Sequence, residues 1–140
     1  MTSPLERLAG PGKMLTAEPS DANEFTGLKR TGLNRLKDAR NKTNSLEGRF
    51  DLVYNAAHAL SLAALRHHGF RASNRYIVFQ VLPHTLGLGP EVWRVLAKGY
   101  DIRNLGEYEG DLNVDERIVA DLIVACRAVA ARLAELPPLL

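Results

Sequence analysis

Side chains that could bind an anion or move a proton cluster between Tyr100 and Tyr108. In a helix, Tyr100, Asn104 and Tyr108 recur every four residues and share one face, with Arg103 beside it. An arginine can hold a phosphate through two parallel hydrogen bonds, and a neighbouring group can then transfer a proton. The segment therefore predicts a phosphate-binding or catalytic face that includes Arg103, Asn104 and Tyr108.

The same residues have a purely structural interpretation. Arg103 and Glu107 are four residues apart, so they can form a surface ion pair worth about 0.3–0.5 kcal/mol. Tyr108 would then pack as an ordinary aromatic residue with its hydroxyl in water. Both interpretations remain open from the residues alone.

Histidine is the other candidate for chemistry. His58 lies within a strongly helical segment, and it could serve as a base if it reaches Arg103 or Tyr108. The alternative is a hydrogen-bonded core histidine. No two histidines have the H-x-x-x-H spacing of a metal motif, so the sequence predicts no metal site.

The composition is that of an ordinary globular chain. The 140 residues predict one domain, and the low aromatic content of 6% favours a core of aliphatic and alanine side chains, as in close-packed helices. The single cysteine, Cys126, lies in an apolar stretch and is predicted to be buried. The sequence contains no Gly-rich phosphate loop and no C-x-x-C pair, so we expect no cofactor.

Charge is segregated along the chain although the net charge is only +2. Residues 29–49 are mostly basic and residues 101–117 mostly acidic, so either region could meet a charged partner. No apolar run approaches the roughly 18 residues needed to cross a membrane, and the N-terminal residues lack an apolar signal core. We therefore expect a cytoplasmic protein that does not contact a membrane.

Local signals predict an all-α fold. Residues 1–20 are predicted to be a flexible arm with at most one helical turn, and residues 21–137 an up-and-down bundle of four long helices plus one short irregular helix. The predicted helices begin at capping residues or proline and end near glycine or proline. The first predicted helix begins at Asp21, with Glu24 completing a capping box. The other four are predicted from Ser45 to Gly69, from Tyr76 to Leu82, from Pro90 to Gly110 and from Asn113 to Pro137. The run from Tyr76 to Phe79 is also typical of a strand. Because we expect no other segment to pair with it, a helix is predicted there, and Arg71–Asn74 is predicted to form a loop.

The segment beginning Arg103-Asn104 and ending at Tyr108, together with the run from Arg49 to Ala59, resembles the HEPN family. These are small all-α bundles, found among nucleases and partners of nucleotidyltransferases, and the resemblance extends as architecture over residues 22–136. Catalytic members combine an arginine and a histidine from two subunits and cleave RNA without metal. Arg103 matches that arginine and Asn104 the polar residue after it, whereas Tyr108 stands where the histidine would be.

The resemblance implies a homodimer, formed through the helix beginning at Ser45 or the one beginning at Pro90. It implies catalytic roles for Arg103, Asn104, Tyr108 and His58, and phosphate or nucleotide binding by Arg103, Arg49 and Asn55. Because the reference pKa of tyrosine is about 10, Tyr108 is a poor base at neutral pH.

Binding of a nucleotide or RNA phosphate is therefore expected to survive the change to tyrosine more readily than cleavage by a toxin–antitoxin type of ribonuclease. The alternative function is a non-catalytic interaction module, for example a partner of a nucleotidyltransferase.

Overall fold

A computed structural model describes residues 3–139. It is 68% helical, which confirms the all-α prediction at this coarse level. The described part also contains a two-stranded antiparallel sheet, which was not predicted. The elements in chain order are α1 (Pro4–Leu8), β1 (Leu15–Ala17), α2 (Ala22–Ala39), α3 (Leu46–His67), β2 (Phe70–Ala72), α4 (Arg75–Gln80), α5 (Leu82–Thr85), α6 (Pro90–Glu109) and α7 (Glu116–Leu133).

Helix α3 is the central element. Ser45 begins it as predicted, because its hydroxyl accepts a hydrogen bond of 3.0 Å from the Gly48 amide. The side of α3 that carries alanines is buried within one chain, as is the side that carries large residues. Ala56 and Ala63 are as inaccessible to solvent as Phe50. The alanine side of α3 is thus covered by other helices of the same subunit. This side of α3 therefore offers no surface to a second subunit, and the expected homodimer stays a prediction.

Helix α2 packs closely on α3 because Gly32 faces it. A Cβ at Gly32 would lie 2.6 Å from Cγ of Leu60, so this position admits only glycine unless Leu60 moves. Asp21 caps α2 as predicted, with its carboxylate accepting from the Glu24 amide at 3.0 Å. The capping box is only half formed, however, since the Glu24 side chain binds Arg66 and Arg71 instead.

The N-terminal segment, predicted to be a flexible arm, is folded onto the helices over its described residues. Strand β1 pairs with β2 in antiparallel register, from Leu15 opposite Ala72 to Ala17 opposite Phe70. Leu5, which lies in the helical turn predicted for this segment, is buried together with Leu15 in a second apolar cluster. The segment Arg71–Asn74 is therefore partly a strand rather than a loop.

The remaining boundaries differ from prediction in small ways. The predicted short helix is two consecutive helices, α4 and α5, with Pro83 in the first turn of α5. Helix α7 is capped by Asp115, whose carboxylate accepts from the Ile118 amide at 2.8 Å, and not by Asn113. Cys126 is buried as predicted, and burial raises the pKa of its thiol to about 12. Within residues 3–139, no helix is long and apolar enough to cross a membrane.

Candidate functional site

Side chains from α3, α4 and α6 surround the ring of Tyr54, which is only 1% exposed. The guanidinium carbon of Arg103 lies 5.2 Å from the ring centroid, and that of Arg75 lies 5.8 Å from it. The two guanidinium carbons are therefore no more than about 11 Å apart, the sum of these distances. We call Tyr54, Asn55, His58, Arg75 and Arg103 the arginine–tyrosine cluster.

Local structure explains how Arg75 is held. It is the first residue of α4, whose start is fixed by the Asn74 side chain accepting from the Ile77 amide at 3.0 Å. Nη1 of Arg75 donates to Oδ1 of Asn55 at 3.2 Å. Asn55 in turn donates from Nδ2 to the carbonyl of Asp51, one turn earlier in α3, at 2.8 Å. Asn55 therefore orients one guanidinium group of the cluster.

Arg103 approaches the cluster from α6. It forms the predicted pair with Glu107, with 3.4 Å between Nη1 and Oε1, and both side chains are partly open to solvent. Its guanidinium also lies over Tyr54, so the surface-pair interpretation describes only part of its environment. Arg75, by contrast, makes no ion pair with any carboxylate of residues 3–139.

The Tyr54 hydroxyl is buried and finds no hydrogen-bond partner within the described part of the chain. Leaving a buried hydroxyl unpaired costs about 1–3 kcal/mol. Burial raises the pKa of Tyr54, whereas the Arg75 guanidinium, which approaches the phenol oxygen without forming a hydrogen bond of good geometry, and the charge of Arg103 oppose that change. The phenol is therefore protonated at neutral pH, and its proton has no acceptor among the described residues.

His58 is a neutral imidazole at neutral pH. Burial lowers its pKa to about 4, and the positive charges of Arg75 and Arg103 act in the same direction. Its ring stands edge-on to Phe79, with 6.3 Å between the ring centroids. A neutral imidazole with so low a pKa can donate or accept a hydrogen bond but is a weak base.

Replacement of Tyr54 by phenylalanine tests whether the hydroxyl is unpaired. We expect Tyr54→Phe to leave the free energy of unfolding unchanged or to raise it by up to about 1 kcal/mol, because the volume is kept and an unpaired polar atom is removed. Urea denaturation measures this, with Tyr108→Phe as the exposed control. A loss of more than about 1 kcal/mol would show that the hydroxyl is paired in the folded protein.

Three of the predicted site residues meet in the arginine–tyrosine cluster, and two others on α6 lie outside it. Arg103, Asn55 and His58 are in the cluster, whereas Asn104 is exposed and Tyr108 is 91% exposed. With 3.6 residues per turn, each four-residue step rotates the side chain by about 40°. Two steps carry Tyr108 away from the face that Tyr100 presents to the core, so the expected common face is not formed.

Arg49 has a structural role. It is 5% exposed, donates from Nε to the Ala39 carbonyl at 2.8 Å and pairs with Glu116 at 3.2 Å. These contacts tie the end of α2 and the start of α7 to α3. Its hydrogen bonds serve the fold, and its part in phosphate binding stays a prediction.

Sequence reasoning missed Arg75 and Tyr54. Tyr54 lies one turn before His58 on α3, a spacing that places both on one face. Asn74 is a recognisable helix cap, which would have placed Arg75 in the first turn of a helix. Neither signal shows that α4 turns this arginine toward α3.

A cleft of about 410 Å³ adjoins the cluster between the start of α3 and the end of α6. Arg103 lines it together with four carboxylates, those of Glu47, Asp51, Glu107 and Asp111. Within the described residues, no three histidine, cysteine or acidic side chains are placed to hold a metal ion together.

The resemblance to the HEPN family rests on the sequence alone. Comparison of the chain with protein-family models, curated proteins and solved structures finds no match.

Proposed function

We propose that this protein binds the phosphate of a nucleotide or RNA at the arginine–tyrosine cluster. One observation carries the proposal: two guanidinium groups flank a buried phenol whose hydroxyl has no partner in the described chain. Two guanidinium groups that contact the same ring repel each other, and an anion bound near both would relieve that repulsion.

The cluster offers suitable donors for a phosphate. Arginine presents a planar fork of N–H groups that matches phosphate oxygens, and Arg75 has no carboxylate partner in residues 3–139 to compete for it. The Tyr54 hydroxyl can donate to a further oxygen. His58, neutral at pH 7, can donate from one ring nitrogen.

In this proposal the protein is a HEPN-like domain. Its four long helices, α2, α3, α6 and α7, would form the up-and-down bundle of that family, and His58 would take the place of the motif histidine. A base whose pKa is about 4 is inefficient at neutral pH, so ligand binding is favoured over metal-independent RNA cleavage. Tyr108, exposed at the end of α6, would take no part in either.

Titration calorimetry with pyrophosphate and with a nucleoside monophosphate tests the proposal. We expect Arg75→Ala and Arg103→Ala each to weaken binding about tenfold, which corresponds to about 1.4 kcal/mol. Thermal unfolding should change little in the Arg103→Ala protein, because Arg103 is partly exposed. Arg94→Ala, an exposed arginine on the same helix, is the control.

The His58 ring gives a second readout that needs no activity. A bound phosphate would offset the two positive charges that lower its pKa, so the NMR titration midpoint of His58 should rise when pyrophosphate is added. Failure of any phosphate compound to bind at millimolar concentration, with no change in this midpoint, would overturn the proposal. Incubation of a mixed RNA pool without metal, beside Arg103→Ala, tests residual ribonuclease activity.

One observation favours the second candidate, a protein-interaction module. Leu105 is 55% exposed and Tyr108 91% exposed, one turn apart on α6. Large apolar side chains exposed together mark surfaces that bind proteins. The partner would be a second copy of the chain or a nucleotidyltransferase. A dimer in light scattering that Leu105→Glu converts to a monomer would assign the surface to the second copy.

A further inference from the structure

The cleft beside Arg103 limits which phosphate compound the cluster can accept. Arg103 belongs to both: it lies over Tyr54 in the cluster and it lines the cleft. Asp51, another lining residue, lies one turn before Asn55, which holds Arg75. Cluster and cleft therefore share Arg103, and a ligand whose phosphate meets this arginine can extend into the cleft.

The cleft has an excess of negative charge. Four carboxylates line it against the single guanidinium of Arg103, which already pairs with Glu107. Further phosphates next to the first would lie among these carboxylates and be repelled. Groups that carry N–H donors or positive charge would be attracted instead.

One group of basic residues lies on another side of the molecule. Helix α2, which carries Lys29, Arg30, Arg35 and Lys37, packs on α3 and α7, whereas the cluster is formed by α3, α4 and α6. A strand of RNA with one phosphate in the cluster would not be guided directly onto the basic face of α2. Its neighbouring phosphates would instead meet the acidic cleft.

We infer that the ligand is a small phosphate ester whose other end carries N–H donors or positive charge, not an RNA strand. This rests on the proposed function. The guanidinium groups of Arg75 and Arg103 would hold the phosphate, and the carboxylates of Asp51 and Glu47, two residues that line the cleft, determine specificity for the other end. A guanine base fits this requirement, because its ring N–H and amino group can donate side by side to one carboxylate.

Three probes separate the alternatives: guanosine monophosphate, ribose 5-phosphate, which lacks the base, and a single-stranded RNA of twelve nucleotides. We expect guanosine monophosphate to bind about tenfold tighter than ribose 5-phosphate. The RNA is expected to bind no tighter than ribose 5-phosphate. Asp51→Asn should remove most of the preference for guanosine monophosphate without weakening ribose 5-phosphate. Glu135→Gln, an exposed acidic residue beyond α7, is the matched control.

Two results would overturn the inference while leaving the proposed function standing. In the first, RNA binds the wild-type protein at least tenfold tighter than guanosine monophosphate does. Its affinity also depends steeply on salt, and RNA binding is lost in Arg103→Ala. In the second, both Asp51→Asn and Glu47→Gln leave the preference for guanosine monophosphate over ribose 5-phosphate unchanged. If Arg75→Ala and Arg103→Ala alter the binding of none of the three probes, the phosphate site itself is wrong and the inference fails with it.

Discussion

Arg66→Ala is expected to lower the free energy of unfolding by about 3–5 kcal/mol, the largest effect of any substitution considered. Arg66 is 2% exposed. It donates to the carbonyl oxygens of Glu18, Phe70 and Pro19 and to the carboxylate of Glu24. Removing the guanidinium would take this donor from three carbonyl oxygens at buried or partly buried positions and leave Glu24 paired with Arg71 alone.

The loss should begin at the N-terminal segment. Arg66 and Arg71 connect Glu18 to the end of α3 and to β2, so β1 depends on them more than the long helices do. Hydrogen exchange at residues 15–17 should therefore accelerate more than in the middle of α3.

Thermal and urea unfolding of Arg66→Ala measure the global effect, with Arg127→Ala, an exposed arginine on α7, as the control. A loss below about 1 kcal/mol, equal to that of the control, would contradict the role assigned to Arg66.

Acidification is expected to destabilise the fold through His58. Its pKa is about 4 in the folded protein and near 6.5 when unfolded, so the unfolded chain takes up the proton first. The stability due to neutral His58 is complete above pH 6.5 and is lost as the pH falls from 6.5 toward 4. At pH 5 we expect a loss of about 1–2 kcal/mol, allowing for partial solvent access.

Urea denaturation at pH 7 and pH 5 measures this loss. The groups that act on the His58 ring are Arg75 and Arg103, which stay charged over this range. Ion pairs lower the pKa of Glu18 and Glu24 below 4.5, so the stability they contribute is lost only at lower pH. His58→Gln should remove most of the difference between the two pH values, and His84→Gln should retain it. The same pH dependence in His58→Gln as in the wild type would show that other groups cause it.

Part of the candidate site was predictable from helix spacing. His58 and Asn55 lie on a helix whose limits are set by Ser45 and Gly69, and Arg103 was identified from the residues around it. Arg75 was not, because its position depends on the direction of a six-residue helix rather than on any local pattern. Tyr108 was assigned to the wrong face because a four-residue repeat drifts around the helix by about 80° over two steps.

By itself, the sequence determined the helical class and most of the helix limits. Capping side chains, proline at a first turn and glycine at a C-terminus act on backbone groups within four residues, so they operate wherever the helix lies. The tertiary structure alone decided the pairing of β1 with β2, the burial of the alanine side of α3 within one chain, and the meeting of Arg75 and Arg103 at Tyr54. These contacts join residues far apart in the chain, and their energies depend on packing, which no local spacing encodes.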